Sequence, residues 1–385
     1  MIGAWILTKY LVIGVPLLLF YFEKMLPTTR NYLERTAWFI LWVFCALRYG
    51  YGRDYFSYYY WYSELIPAGV DGFVDSPAFN ILIELFLLLN LPYQAFVAFC
   101  SLIFLLSIKH VIIDQASKKD RFVIFAVFLL LDQLFFDNLN TIRQSLAIAI
   151  SLLAMNLYVN ERKVSGLFLL IFAPFFHLST ILTFPILIAL FYFRNLGRSL
   201  MLLSSLGMTL FYDIFFIFLG SLGDIGFLIP DRYLQFNEFQ LTFATLARFC
   251  LIAFLLTTAL FLVKKKRIFS SIALSLCFGG ICLWILSLTG FPIAARLEQF
   301  FAPGYLLICK EILSSNVVRR QVIIFCALIV FGGLSVQDYL EDEEYSKYTA
   351  QFRLIPFVDE SDIASDLTDY FSEEKAFHEL RQLGR

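Results

Sequence analysis

Apolar residues fill this chain in long blocks, over about 3–21, 36–50, 93–112, 121–136, 141–159, 164–177, 179–193, 199–221, 241–263, 268–289, 298–313 and 320–337. The blocks approach the ~20 residues that a bilayer-spanning helix needs, and they lack the two-residue alternation of a barrel strand. Each therefore predicts a helix, and twelve crossings return both termini to one side. Residues 77–91 form a further apolar helix, closed by Asn90-Leu91-Pro92. As a full crossing it would invert everything after it, so it is predicted to be re-entrant or interfacial. Within 164–193, Pro174 and the polar step His177-Leu178-Ser179 predict a break, with Ser179 as N-cap of the second half.

The polar spacers alternate in character. Of 30 Lys and Arg, eighteen fall in six short spacers: Lys24, Arg30, Arg35; Lys109, Lys118, Lys119, Arg121; Arg162, Lys163; Arg194, Arg198; Lys264, Lys265, Lys266, Arg267; Lys310, Arg319, Arg320. Short basic loops stay cytoplasmic, so the alternation orients the bundle. Four arginines then fall at the opposite, outer edge: Arg48, Arg53, Arg143 and Arg296. Cations gathered where the rule makes them scarce point to an anionic ligand on that face.

Composition agrees with this reading. Hydrophobic residues make up 60% of the 385 and charged residues 16%, with a mean hydropathy of +0.75. A globular domain is nearer half apolar and a quarter charged, so the class is a polytopic all-α integral membrane protein. The first block reads as a span and not a cleavable signal, because Lys9 is its only charge before Glu23 and no small-residue cleavage site follows. All seven cysteines lie inside apolar runs without a C-x-x-C, as packing residues do. No cofactor, metal or nucleic-acid partner is expected: there is no D-x-D, no His/Cys cluster and no Walker-type loop. Residues 1–337 read as the membrane domain. Residues 338–385 read as an outer-side tail with 13 acids against 5 bases, a net charge of −8, and 345–356 carries enough aromatic residues to dock.

Four segments carry candidate chemistry. Arg48-Tyr-Gly-Tyr-Gly-Arg53-Asp54-Tyr55 leads into a Tyr/Trp run that includes Tyr59. Two guanidiniums there can fork onto phosphate, Asp54 can orient Arg53, and the rings can stack on sugars. The bland alternative is an interfacial aromatic belt with one ion pair. Asn140, Arg143 and Gln144 share one helix face at the start of the 141–159 span. A first-turn cation opposes the helix dipole unless an anion docks there; the alternative is an Arg143–Asp137 cap. His177 stands at the predicted break, either as a base or as a structural histidine. Arg296-Leu-Glu298-Gln299 offers a further phosphate contact, or an Arg–Glu pair at the interface.

Together these segments resemble the EpsG/Wzy-type bacterial polysaccharide polymerases. The matching pieces are Arg48, Gly50 and Asp54; Asn140, Arg143 and Gln144; Phe176, His177 and Ser179; and Arg296 with Phe300, in that order over roughly 40–310. The resemblance implies a GT-C-like glycosyltransferase of the bacterial inner membrane with its site facing the periplasm. It implies transfer of a growing chain from undecaprenyl pyrophosphate onto the next lipid-linked repeat unit, as in O-antigen, capsule or exopolysaccharide synthesis. In that setting Arg48, Arg53, Arg143 and Arg296 hold the diphosphate and His177 is the base, with Asp54 as second choice. Asn140, Gln144, Tyr55 and Tyr59 complete the substrate site, and a polysaccharide co-polymerase that sets chain length is an expected partner. An O-antigen ligase and a lipid-linked oligosaccharide flippase or transporter are the alternatives.

Overall fold

The computed structural model describes residues 2–26, 31–51, 54–67, 76–130, 134–181, 183, 268–287, 292–314 and 353–354. Expected spans at 199–221, 241–263 and 320–337, most of 179–193, and Arg53 lie outside the described residues. The described elements are α1 (Ile2–Met25), α2 (Tyr32–Leu47), β1 (Arg48–Tyr49), α3 (Asp54–Tyr60), α4 (Pro77–Leu88) and α5 (Tyr93–Ile108), which continues as a π turn through Ile113. They go on with α6 (Lys118–Leu130), α7 (Phe136–Asn140), α8 (Ile142–Val159) and α9 (Lys163–Phe172), α9 closing in a 3₁₀ turn to Phe175. After these come α10 (Ile268–Ser287), α11 (Pro292–Phe301), α12 (Pro303–Ser314) and β2 (Arg353–Leu354). The protein is mostly helical. Among the described residues, α5 with its extension and α8 are each long and apolar enough to cross a membrane.

Helix α5 packs between α2 and α8, α1 covers α2 and α6, and α12 lies against both α10 and α6. α9 turns Val164, Leu167, Phe168 and Ile171 outward, all more than half exposed. A helix that shows such residues outside and packs its Gly166 inward has an inverted, apolar-out face that calls for an apolar surrounding. Glycine allows the close approach: a Cβ on Gly166 would lie 2.8 Å from the Ala154 carbonyl oxygen. Gly304 is tighter, its Cβ position being 2.5 Å from the Cys277 nitrogen and 2.6 Å from the Leu276 Cβ. Backbone cannot move aside as a side chain can, so Gly304→Ala is expected to cost about 2 kcal/mol by overpacking. Thermal unfolding in detergent, followed by loss of the monodisperse gel-filtration peak, checks this.

Polar groups collect at the two ends of the bundle. At one end Arg121 pairs with buried Glu34 at 3.2 Å and donates to the Asp114 carbonyl at 2.9 Å, while Lys109 pairs with Asp114 at 2.7 Å. Gln115 donates to Asn156 at 2.7 Å and accepts from Lys310, and the Glu23 carboxylate accepts from the Asn31 and Leu33 amides at the start of α2. Among the described residues, Lys109, Arg121 and Lys310 of the basic spacers lie at this end. The helices run from there to the other end, where Arg48, Arg143 and Arg296 lie.

Several boundaries differ from the sequence reading. The 36–50 block stops being helical at Leu47, because Arg48 is extended (φ −61°, ψ 142°) and Gly50 turns at φ +60°. The fold is therefore not purely helical: Arg48 pairs with Leu354 and Tyr49 with Arg353, antiparallel. The 298–313 block is two helices, interrupted at Ala302 because Pro303 has no amide to continue the ladder and starts a new helix instead. The expected break near His177 is present: Phe176 to Ser179 form a turn and helix resumes at Thr180. α4 is 12 residues, about 18 Å at ~1.5 Å per residue, well short of a ~30 Å hydrocarbon core. Both its flanks are held at the arginine end: Ser76 accepts from Arg143, and the Leu91 carbonyl accepts from the Tyr62 hydroxyl at 2.6 Å.

Candidate active site

The sequence motifs meet at that end. Asn140, closing α7, accepts the Asp54 amide on its Oδ1 at 3.1 Å, which ties the start of α3 to the start of α8. Arg143 sits in the first turn of α8. Its Nη1 donates to Ser76 Oγ at 3.1 Å and its guanidinium lies 5.9 Å from the centroid of the Tyr58 ring. Thr141, the N-cap of α8, makes no side-chain capping bond; it donates to Gln299 Oε1 at 3.3 Å instead. Gln144, one turn in, donates to the Arg296 carbonyl, so α8 holds α11 at two points. The Gln144 Oε1 is buried with no partner among the described residues.

Tyr58 is the hub. Burial pushes its hydroxyl up to about 12, Asp54 adds to the shift, and Arg143 and Arg296 oppose it, Arg143 through a hydrogen bond as well. Arg143 therefore contacts a neutral phenol on which Asp54 and Arg296 also act electrostatically. Arg143 is half-buried and Arg296 is exposed, so both guanidiniums can meet a ligand. Glu298, two residues on, is buried and accepts from Tyr305 at 3.4 Å. The Asp137 side chain, the alternative partner for Arg143, lies outside the described side chains.

His177 is buried, its ring 6.0 Å from that of Phe300 and its Nδ1 2.6 Å from Ser179 Oγ. Phe300 follows Arg296 by one helical turn, so His177 packs on the helix that carries that arginine. When Ser179 donates to Nδ1, Nε2 carries the proton; when Nδ1 donates to Ser179, Nε2 is left as a base.

Two expectations change. Arg48 is 1% exposed. Its Nη1 donates to the Cys45 carbonyl at 2.6 Å and Ser101 Oγ at 2.7 Å, and its Nη2 to the Leu139 carbonyl at 3.1 Å. These bonds join α2, α5 and α7, so this side chain is built into the bundle and does not reach for a phosphate. Tyr55 is 3% exposed and donates to Gln94, which in turn donates to the Ala46 and Arg48 carbonyls. Buried this way, among the rings of Tyr49, Phe56 and Tyr93, it offers no face to a sugar. The half-exposed rings of the run are Tyr59, Tyr60 and Trp61.

Ser76 and Gln94 were not singled out from sequence, and Tyr58 stood there only as one ring of the Tyr/Trp run. Ser76-Pro77 before an apolar run is a helix-start signature that could have marked the first. Nothing local distinguishes Tyr58 from its neighbouring tyrosines.

A family comparison decides the affiliation: the EpsG family pattern matches residues 31–357. The chain belongs to the EpsG family. This is a family of Wzy/EpsG-type polysaccharide polymerases, so a polysaccharide-polymerising, glycosyltransferase-like activity in a membrane is the general function. No curated protein and no solved structure matches the chain.

Proposed function

We propose that this EpsG-family chain is a GT-C-like polymerase of about twelve crossings that works at the outer face of the bacterial inner membrane. It transfers a growing glycan from undecaprenyl pyrophosphate to the next lipid-linked repeat unit. The observation that carries this reading is Arg143 against Tyr58 at the start of α8, which also holds Arg296 through Gln144, with His177 against Phe300. The opposite end holds Lys109, Arg121 and Lys310 of the basic spacers, and short basic loops stay cytoplasmic, which supports an outward-facing cluster.

Arg143 and Arg296 bind the donor diphosphate, with Arg53 as a third contact from the adjoining segment. The uncapped start of α8 adds its amide dipoles. Arg48 stands behind them, holding α2, α5 and α7 in register. His177 takes the proton of the acceptor hydroxyl as its oxygen bonds to the anomeric carbon. The bond from that carbon to the phosphate oxygen breaks, and the electron pair leaves on the diphosphate, which the guanidiniums stabilise. Asn140 and Gln144 place α3 and α11 around the donor, Tyr59 lines the sugar path, and a chain-length co-polymerase meets the same face.

Surface polysaccharide from cells lacking this chain tests the assignment on a gel. The deletion is expected to leave single repeat units on the lipid acceptor. His177→Gln is expected to fail to restore longer chains at normal membrane level, with a loss of ~100-fold or more, the scale of a positioned base. A deletion that also removes single units overturns the polymerase reading, and full polymer from His177→Gln overturns the base assignment.

A further inference from the structure

The tail does not stand apart from this site. β2, Arg353–Leu354, pairs antiparallel with β1, the two residues that connect α2 to the site segment. A two-residue strand has no stability of its own, so β1 keeps its extended shape only through what holds its edges. On one side Gln94 donates to the Arg48 carbonyl at 3.1 Å; on another β2 supplies a strand partner. β1 then passes through Gly50, at φ +60°, towards α3, where Asp54 and Tyr58 meet Arg143. Whatever fixes β1 therefore fixes both the anchor of the Arg48 guanidinium and the entry of α3.

One further observation and one expectation from the sequence bear on this contact. The EpsG family match takes in β2 and stops at residue 357, three residues beyond it. Ten of the crossings expected from sequence lie between β1 and β2, and an even number returns the chain to the face it left.

We propose that β2 is a positioning element of the active site: a backbone brace, donated by the C-terminal segment on the same face, that holds Arg48–Tyr49 and through them α3. This inference rests on the polymerase reading for its activity readout, while the pairing itself is tested without it. The brace acts through main-chain hydrogen bonds. It should therefore tolerate a changed side chain and fail with a lost amide.

The first test is a Tyr49→Cys/Arg353→Cys pair in the full-length chain in membranes, oxidised and analysed for a disulfide-linked peptide. Directly opposed residues lie within disulfide reach. A linked 49–353 peptide is expected, and its absence from a chain of normal abundance overturns the brace whatever the activity. The second test reads polymer length at matched membrane level. A chain ending at 357 and Leu354→Val are expected to polymerise like wild type. A chain ending at 350 is expected to lose ten-fold or more, as is a proline at 353 or 354, at whichever position the amide serves the ladder. Full polymer from the chain ending at 350 overturns the proposal. A 49–353 link in the double-cysteine chain, together with a wild-type chain that makes no polymer, sinks the polymerase reading and leaves the pairing intact.

Discussion

Arg143→Lys is expected to lower polymer formation by ~100-fold or more while the protein stays folded in the membrane, the scale reached when one donor to developing transition-state charge is removed. Lysine keeps the charge and loses the geometry. In the native site one guanidinium donates to Ser76, hydrogen-bonds Tyr58, lies against that ring and still has an edge for a ligand, because the residue is only half-buried. An ammonium is a point charge with three donors; it cannot keep two protein partners and also fork onto a phosphate. The cost to the fold is small by comparison, about 1 kcal/mol for the hydrogen bond to Ser76. A drop in polymer ladder length at unchanged membrane abundance, with a melting temperature lowered by no more than a few degrees, is thus the expected signature. Full-length ladders from Arg143→Lys would show that charge alone suffices, and the forked contact would be discarded.

The contrast between Arg143 and Arg48 shows what the sequence carries. Both arginines break the charge rule in the same way, so spacing and sidedness flag both equally. What separates them is the number of protein acceptors within reach, and that depends on three helices far apart in sequence. Arg48 takes acceptors from residues 45, 101 and 139. The tyrosine run is ambiguous for the same reason. An aromatic belt and a buried ring cluster have the same composition, and only the arrival of Phe79, Tyr93 and Phe96 makes Tyr55 and Tyr58 core.

Local signals fared better where the physics is local. The break at His177 follows from Pro174 and a polar step, and the end of α4 follows from Asn90-Leu91-Pro92. The interruption at Ala302 was also legible, since Pro303 cannot continue a helix, yet the apolar run through it masked the signal. The β1–β2 contact was not legible. Two residues of strand carry no periodicity, and the partner lies some three hundred residues away.

Arg48→Ala is expected to have the largest effect on stability, about 4 kcal/mol, the range for removing one member of a buried polar network. The guanidinium has no carboxylate partner among the described residues; its charge is met by carbonyls, one of them Cys45 in the last turn of α2, where the helix dipole favours a cation. Truncation strands the Cys45 and Leu139 carbonyls in a dry interior and leaves a cavity between α2, α5 and α7. Ser101 is affected less, because its hydroxyl still donates to the Val97 carbonyl at 2.8 Å. Arg48→Lys should recover part of the loss, since one ammonium reaches some of these acceptors without spanning all three. Membrane abundance and melting in detergent measure the ranking: wild type, then lysine, then alanine. Arg143 variants predict the reverse pairing, with activity lost and stability kept. An Arg48→Ala chain that melts like wild type but makes no polymer would move Arg48 from the frame of the site to the substrate itself.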